Sequence, residues 1–221
     1  MKKSLLCLAA LSALALTGCK SGVDIPVSYT ALSGPVQYVK STIAFEVPAC
    51  EDYKTKLESE NLLKAKQLVQ FVFPEAKYLA CKDVQFKSMA SFELPVAVGV
   101  DADKAKNDMA VSFIQSRVFV SMSKEALARA NQVADKMIGF DPKDFEISLI
   151  FSNDAGHDWS VFVPSAIIDG NTKHPIYAHA DEMTMPKDGL ARITLSNVAS
   201  LQVSKGALAM AYALTPKEQA K

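Results

Sequence analysis

The densest group of potential metal ligands in this sequence lies between residues 174 and 182, which read His-Pro-Ile-Tyr-Ala-His-Ala-Asp-Glu. His174, His179 and Asp181 supply two imidazoles and a carboxylate, a ligand set that suits zinc or copper. Their spacing matches no established metal-binding motif, and a proline directly follows His174. These three residues are therefore metal candidates only, and the prediction for the chain is no metal and no cofactor.

Two methionines, Met183 and Met185, follow this group and would favour copper, because thioethers are soft ligands. The whole stretch from Asp169 to Gly189 is long, polar and interrupted by two prolines, which is typical of a solvated loop. A polar loop is the first interpretation. The alternative is a small-ligand or metal site formed by the loop 169–189.

A second polar group contains Asp154, His157 and Asp158, directly before Trp159. An acid next to a histidine invites an acid/base interpretation. The residues Asn153 to Gly156, however, read Asn-Asp-Ala-Gly, and this composition is what a tight turn between two strands requires. We therefore predict a hairpin turn here.

Other catalytic signatures are missing from the sequence. Ser165 and Ser196 lie in no Gly-x-Ser-x-Gly motif, and no glycine-rich phosphate loop is present among nine glycines. The paired acids Glu51 and Asp52 are better explained by the positive N-terminal end of a predicted helix. The sequence therefore predicts no active site.

Of the four cysteines, Cys50 and Cys81 belong to the region that should fold. Two thiols exported to an oxidising compartment most simply form one disulfide. The alternative is a pair of separate, buried free cysteines. A redox-active pair is less consistent with the sequence, because neither cysteine is part of a Cys-x-x-Cys motif.

The N-terminus has the three parts of a secretory signal: Met1-Lys2-Lys3, an apolar run, and small residues before Cys19. The residues Leu16-Thr17-Gly18-Cys19 resemble the lipobox of bacterial lipoproteins. This resemblance implies that diacylglycerol is attached to the Cys19 thiol, that residues 1–18 are removed, and that the new amine is acylated, for example with palmitate. The chain is thus expected to be held on a membrane by its lipid.

The residue after the lipidated cysteine bears on which membrane that is. In enteric-type bacteria an aspartate at this position tends to retain a lipoprotein in the inner membrane, and here the residue is Lys20. The resemblance therefore favours the outer membrane, with the domain facing the periplasm or the cell surface.

The charge balance excludes some classes of partner. The sequence has 24 basic and 24 acidic residues, and loss of Lys2 and Lys3 with the signal leaves a net charge of −2. A near-neutral chain without a basic block argues against nucleic-acid binding and against electrostatic membrane binding as main activities. The 203 residues that remain are enough for one ordinary domain.

Hydrophobic periodicity divides the first half of the chain into elements. They are a flexible tether over 19–35, a strand over 39–47, a helix over 52–72, and strands over 77–86 and 91–100. The second half begins after a polar loop, with a strand over 111–122 and a helix from Ser123, a plausible N-cap. Strands over 145–152 and 159–168 follow.

The order β-α-β-β therefore occurs twice, over 36–100 and 109–169. This recurrence predicts a duplicated unit, although side-chain identity between the halves is low and chance recurrence is the alternative. Strands are also expected within 190–214, with a closing hairpin favoured over a helix for 206–214. The fold class predicted for 36–221 is α+β: one domain with a mainly antiparallel sheet and two helices on one face.

These observations favour a membrane-anchored lipoprotein of the cell envelope that is not an enzyme. Its domain would bind another envelope protein, and a prophage- or plasmid-borne factor would fit the same description. The alternative function is the small-ligand or metal binding at 169–189.

Overall fold

The computed structural model describes residues 21–84, 87–134, 145–169 and 176–216, and for residues 134, 165, 168–169 and 176–181 it describes the backbone alone. The strands are β1 Ser21–Ser28, β2 Gln37–Val47, β3 Lys77–Val84, β4 Lys87–Val100, β5 Met109–Ile114, β6 Arg117–Met122, β7 Phe145–Ser152, β8 Trp159–Asp169, β9 Ile176–Met185, β10 Leu190–Leu195 and β11 Ala209–Pro216. The helices are α1 Tyr29–Ser33, α2 Glu60–Val72, α3 Lys124–Ala134 and α4 Asn197–Ser204, with a 3₁₀ turn at Ala102–Lys104.

All eleven strands belong to one sheet, which is mainly antiparallel as predicted. Two pairs, β1 with β7 and β4 with β5, are parallel. The path β10-β7-β1-β2-β4-β5-β6-β11-β8 curls on itself, because β8 pairs with β11 through its first half and with β10 through its second half. β3 and β9 are added at β4 and β8. One continuous cluster of buried apolar side chains joins the strands to all four helices, so the two predicted halves share a core.

The predicted tether is wrong for residues 21–35. Ser21–Ser28 is β1, which lies between β2 and β7 and buries Val23, Ile25 and Val27. Arg192 of β10 reaches across β7 and binds Asp24, with 3.0 Å between Nη1 and Oδ2. The tether was predicted from the serine, glycine and proline content of this segment. Because every second residue of the strand is buried, the segment is instead part of the core.

Helix α2 begins later than predicted. The Ser59 hydroxyl accepts a hydrogen bond from the Leu62 amide at 3.1 Å, and Glu60 is placed favourably in the positive first turn. Its buried face repeats at helical spacing and consists of Leu62, Ala65, Val69 and Val72. Residues 52–59, predicted as helix, instead belong to a loop over 50–59 that is closed by an isolated bridge between Glu51 and Glu58.

The predicted strand 111–122 is in fact the hairpin of β5 and β6. Gln115 and Ser116 form its turn and adopt left-handed backbone angles, with φ of 49° and 61°. These angles suit a two-residue hairpin turn but are costly for residues other than glycine, asparagine and aspartate. The sequence signal for the turn is therefore weak. At the end of β6, Ser123 caps α3 as predicted and accepts from the Ala126 amide at 3.1 Å.

The C-terminal region also differs from the prediction. Residues 176–185 of the expected loop form β9, which pairs with β8. The strand expected over 190–203 ends at Leu195, and Ser196 then caps α4. β11 is a strand as expected, but it pairs with β6 and β8, so no closing hairpin forms.

Two finer features of the prediction are not confirmed. Four helices are described, and they contact different parts of the sheet: α1 contacts β1, β4 and β5, whereas α4 contacts β6, β7, β10 and β11. The proposed duplication also lacks a matching topology. In the first half β4 pairs with both β2 and β3, whereas in the second half β8 pairs with neither β6 nor β7.

Candidate binding cleft

The metal candidates are only partly covered by the described structure. His174 lies outside the described residues. His179 and Asp181 lie two residues apart on the β9 backbone, opposite Ser165 and Val163 of β8. Among the residues whose side chains are described, no group of three His, Cys, Asp or Glu is placed to hold a metal ion.

The two methionines that would have favoured copper are placed in the core. Met185 is fully buried, and Met183 packs against the same cluster of apolar side chains. The Met185 side chain also packs against Gly189. A Cβ added at Gly189 would lie 2.9 Å from the Met185 sulfur. Both thioethers are thus explained by packing, and the interpretation of 169–189 as one polar loop is wrong for residues 176–185.

The group around Asp154 forms a turn, as predicted, but the predicted hairpin is wrong, because β7 and β8 on either side of it do not pair with each other. Gly156 has a left-handed φ of 81°, and the Asn153 side-chain amide donates to the carbonyl oxygens of His157 and Pro186, both at 2.9 Å. The Asp158 carboxylate accepts from the Lys187 amide at 2.8 Å, which joins this turn to the neighbouring one. The acids near His157 therefore have structural partners.

Asp154 holds the start of α1. Its carboxylate accepts from the Thr30 amide at 2.9 Å. Partial burial raises the pKa of Asp154, but the hydrogen bonds from the Thr30 amide and from the hydroxyls of Thr30 and Ser28 outweigh it and hold this pKa below its ordinary value. The ionised carboxylate is consequently favoured in the folded state.

The other sequence candidates also have structural roles. The Ser196 hydroxyl caps α4 and accepts from the Ala199 amide at 3.3 Å. The expectation that Glu51 and Asp52 begin a helix is wrong. Asp52 instead accepts from the amides of Lys54 and Thr55 at 3.0 and 2.8 Å, which closes the tip of the loop 50–59.

Cys50 and Cys81 form the predicted disulfide, with 5.5 Å between their Cα atoms. It links the beginning of the loop 50–59 to β3 across a sequence separation of 31 residues. Cys19 lies outside the described residues, and its lipidation stays a prediction.

The described part of the chain contains an open cleft of about 690 Å³. It lies between the segment 103–108, the N-terminal turns of α3, the end of β6 and the middle of β4. Its floor is partly apolar, with Leu94, Pro95 and Met122. The charged residues that line it are Glu75, Asp103, Lys106, Asp108, Lys124, Glu125 and Arg129.

Arg129 organises one wall of this cleft. Its Nε donates to the Val72 carbonyl at 2.8 Å, and an Nη nitrogen is paired with the Asp108 carboxylate. The Asp108 carbonyl also accepts from the Ser123 amide at 2.9 Å. Together these three contacts fix the end of α2 and the beginning of α3 to the segment 103–108. Because both charges are largely shielded from solvent, removal of either partner would leave the other charge unpaired and poorly solvated.

The opposite wall is fixed by Ser112 of β5. Its hydroxyl donates to the Asp103 carboxylate at 2.8 Å and accepts from the Asp103 amide at 2.6 Å. The Asn107 side chain accepts from the Met109 amide at 3.1 Å and holds the entry into β5. The segment 103–108 is therefore a rigid rim, although it has little regular secondary structure.

Four charged groups that line the cleft remain available for a ligand. The side chains of Glu75, Lys106, Lys124 and Glu125 make no hydrogen bond or ion pair with any other described residue. The lining, made entirely of described residues, contains no histidine or cysteine, so no nucleophile-base pair of these types faces the cleft. A rigid, mixed-charge, partly apolar concavity is suited to binding a polar segment of a partner.

Sequence reasoning did not find this cleft. The charge density of residues 101–108 and the N-cap at Ser123 were visible, but they lie apart in the sequence. The pairing of β5 with β6, in which Met109 lies opposite Met122, brings the two segments together, and the contacts of Asp108 with Ser123 and Arg129 hold them there. Spacing along the chain carries no signal for such a contact.

The fold and the cleft define a single disulfide-linked α+β domain with a curled, mainly antiparallel sheet. The chain belongs to the family described as "Domain of unknown function (DUF7424)", whose model matches residues 22–218. No curated protein and no solved structure matches the chain. Among the described residues, no helix combines the length and the hydrophobicity needed to cross a bilayer.

Proposed function

We propose that this chain is a lipid-anchored binding protein of the bacterial cell envelope and is not an enzyme. The lipid is attached to Cys19, and the domain stands on the outer membrane rather than the inner membrane. Its cleft binds a charged segment of another envelope protein. The proposal of a lipid anchor is supported by the sequence Leu16-Thr17-Gly18-Cys19, which follows a short apolar run.

The cleft supports the binding role. Its walls are held by the Asp108–Arg129 ion pair and by the Ser112–Asp103 hydrogen bonds, so little conformational entropy is lost when a partner binds. Lysine and glutamate side chains at its mouth offer charges of both signs, which give orientation and specificity to an interface.

The anchor is tested with the Cys19→Ala variant. We expect the unsubstituted chain to stay in the membrane fraction after alkaline extraction and the variant to be released. Equal retention of both proteins would contradict lipidation at Cys19.

The cleft is tested by site-specific photo-crosslinking in intact cells. A photoreactive amino acid is placed at Leu208, which lines the cleft, and, as a control, at Leu190, which is exposed and does not line it. We expect a discrete protein adduct from position 208 that disappears when Lys106→Glu and Lys124→Glu are added. Identical adducts from both positions, or an adduct that survives the charge reversal, would argue against the cleft as the binding site.

A further inference from the structure

The chain places its proposed anchor at one particular end of the sheet. Ser21, the first residue of β1, lies opposite Phe45 near the end of β2 and opposite Phe145 at the start of β7. Cys19 precedes Ser21 by two residues, a distance of at most about 7 Å of extended chain. With lipid on Cys19, this end of the sheet must stand directly on the bilayer.

The loop 50–59 lies at the same end of the sheet. β2 runs from Gln37 to Val47, away from the opposite end, and the loop follows it after two further residues. The end of β3 and the start of β4 are also at this end, because Ser88 lies opposite Val47 and Val84 opposite Lys87. Val84, the last residue of β3, is among the exposed large apolar residues.

The loop presents two large apolar side chains to solvent. Tyr53 is 76% exposed and Leu57 is 69% exposed, which makes them, with Val198, the most exposed large apolar residues described. Single exposed apolar residues are common on protein surfaces. Here, however, two of them lie on one short loop, and the loop is at the end of the sheet where the anchor must attach.

This loop is ordered by its own contacts. The Cys50–Cys81 disulfide fixes its beginning, and the Ser59 amide donates to the Cys50 carbonyl at 3.0 Å. At its tip the Asp52 amide donates to the Leu57 carbonyl at 2.8 Å, and the Asp52 carboxylate binds the backbone of the next turn. The loop can therefore present its exposed side chains without a large entropic cost.

The charges at the tip also suit a lipid surface. The Asp52 carboxylate is occupied by the amides of Lys54 and Thr55, whereas the side chains of Lys54 and Lys56 are exposed. The Lys54 ammonium lies 5.5 Å from the centre of the Tyr53 ring. A tyrosine, a leucine and flanking lysines are the residue types that enter the interface between headgroups and acyl chains.

We propose that the loop 50–59 is a second membrane contact, which inserts Tyr53 and Leu57 into the headgroup region of the bilayer that holds Cys19. This inference rests on the proposed lipid anchor. The loop would set the tilt of the domain on the membrane, because the anchor alone is a single point of attachment. The opposite end of the sheet would then face away from the lipid.

The test uses the full lipoprotein, reconstituted in vesicles of phosphatidylethanolamine and phosphatidylglycerol with acyl chains brominated near the carbonyl end. Tyr53→Trp is compared with Tyr38→Trp, a matched control that is 60% exposed and lies on β2, seven residues and about 24 Å from Phe45. The single natural tryptophan, Trp159, is buried, and its emission in the unsubstituted chain is subtracted. A third variant, Leu57→Trp, gives a second position on the loop.

We expect the brominated lipid to quench the emission of Tyr53→Trp and Leu57→Trp and to leave that of Tyr38→Trp unchanged. Absence of quenching at 53 and 57 in protein that floats with the vesicles would overturn the membrane contact and leave the anchor intact. Equal quenching at all three positions would overturn it as well. Failure of the unsubstituted lipoprotein to float with vesicles would refute the anchor, and the inference with it.

Discussion

The Ile25→Ala variant tests whether residues 21–28 belong to the core. Ile25 lies on β1 between β2 and β7 and has 0% exposure. The substitution removes three carbons at about 0.8 kcal/mol per buried methylene, and the cavity left behind adds to this cost. We expect the free energy of unfolding to fall by about 3 to 4 kcal/mol.

The measurement is urea unfolding at neutral pH, followed by the fluorescence of Trp159, which is buried and therefore reports loss of the core. Ile167→Ala is the matched control, because Ile167 also lies on a strand, β8, but is 44% exposed. This control should cost about 0.5 kcal/mol. The midpoint should shift without a change in the slope of the unfolding free energy against urea.

Equal losses for Ile25→Ala and Ile167→Ala would refute the reasoning. Such a result would mean that β1 contributes nothing to the core and that residues 21–28 form a tether after all.

Three further predictions concern stability. Replacing both Cys50 and Cys81 with serine should lower the free energy of unfolding by about 3 to 4 kcal/mol, measured in urea, because the bridge constrains 31 residues of unfolded chain. Tyr212→Phe should raise it by about 1 kcal/mol, measured by thermal melting, because the buried Tyr212 hydroxyl has no hydrogen-bond partner among the described residues. Asp154→Asn should remove part of the acid sensitivity, since a carboxyl whose folded pKa is depressed loses its stabilisation as the pH falls below its ordinary value of 3.8.

Each of these has an outcome that would contradict it. Reductant should lower the free energy of unfolding of the unsubstituted chain as much as the double serine substitution does. If reductant had no effect, the disulfide would be contradicted. A loss of stability in Tyr212→Phe would mean that the Tyr212 hydroxyl does have a hydrogen-bond partner. Tyr38→Phe, at an exposed position, serves as the control for this substitution. Parallel pH profiles for Asp154→Asn and the parent would show that the bond to the Thr30 amide contributes little.

The elements that could be predicted are those whose signal is local. β2 and β7 alternate apolar and polar side chains over much of their length, and α3 has both an N-cap and a buried stripe. β1 alternates as well, but Gly22 and Pro26 suggested a linker. β1 pairs with β2 only through residues 21–24, so Pro26 lies in the part of β1 that has β7 alone as a neighbour, and prolines within strands are tolerated at such edges.

The cleft and the closure of the sheet could not be predicted, because both depend on contacts between distant segments. Asp108 and Arg129 are 21 residues apart and lie on a loop and a helix, with no spacing rule that would link them. The pairing of β8 with both β10 and β11 likewise has no local signature. The disulfide was predictable because two cysteines were left and only one pairing was available.

The parallel pairing of β1 with β7 has a consequence for how the chain folds. Ser21 pairs with Phe145 at a sequence separation of 124, so the N-terminal strand acquires its second neighbour only after most of the chain has been made. Contacts of this sequence separation require closure of a long loop before they stabilise anything, and they make folding slow. We therefore expect the hydrophobic face of β1 to stay exposed until β7 and β10 arrive. A chaperone that holds the unfolded chain would protect it during that interval.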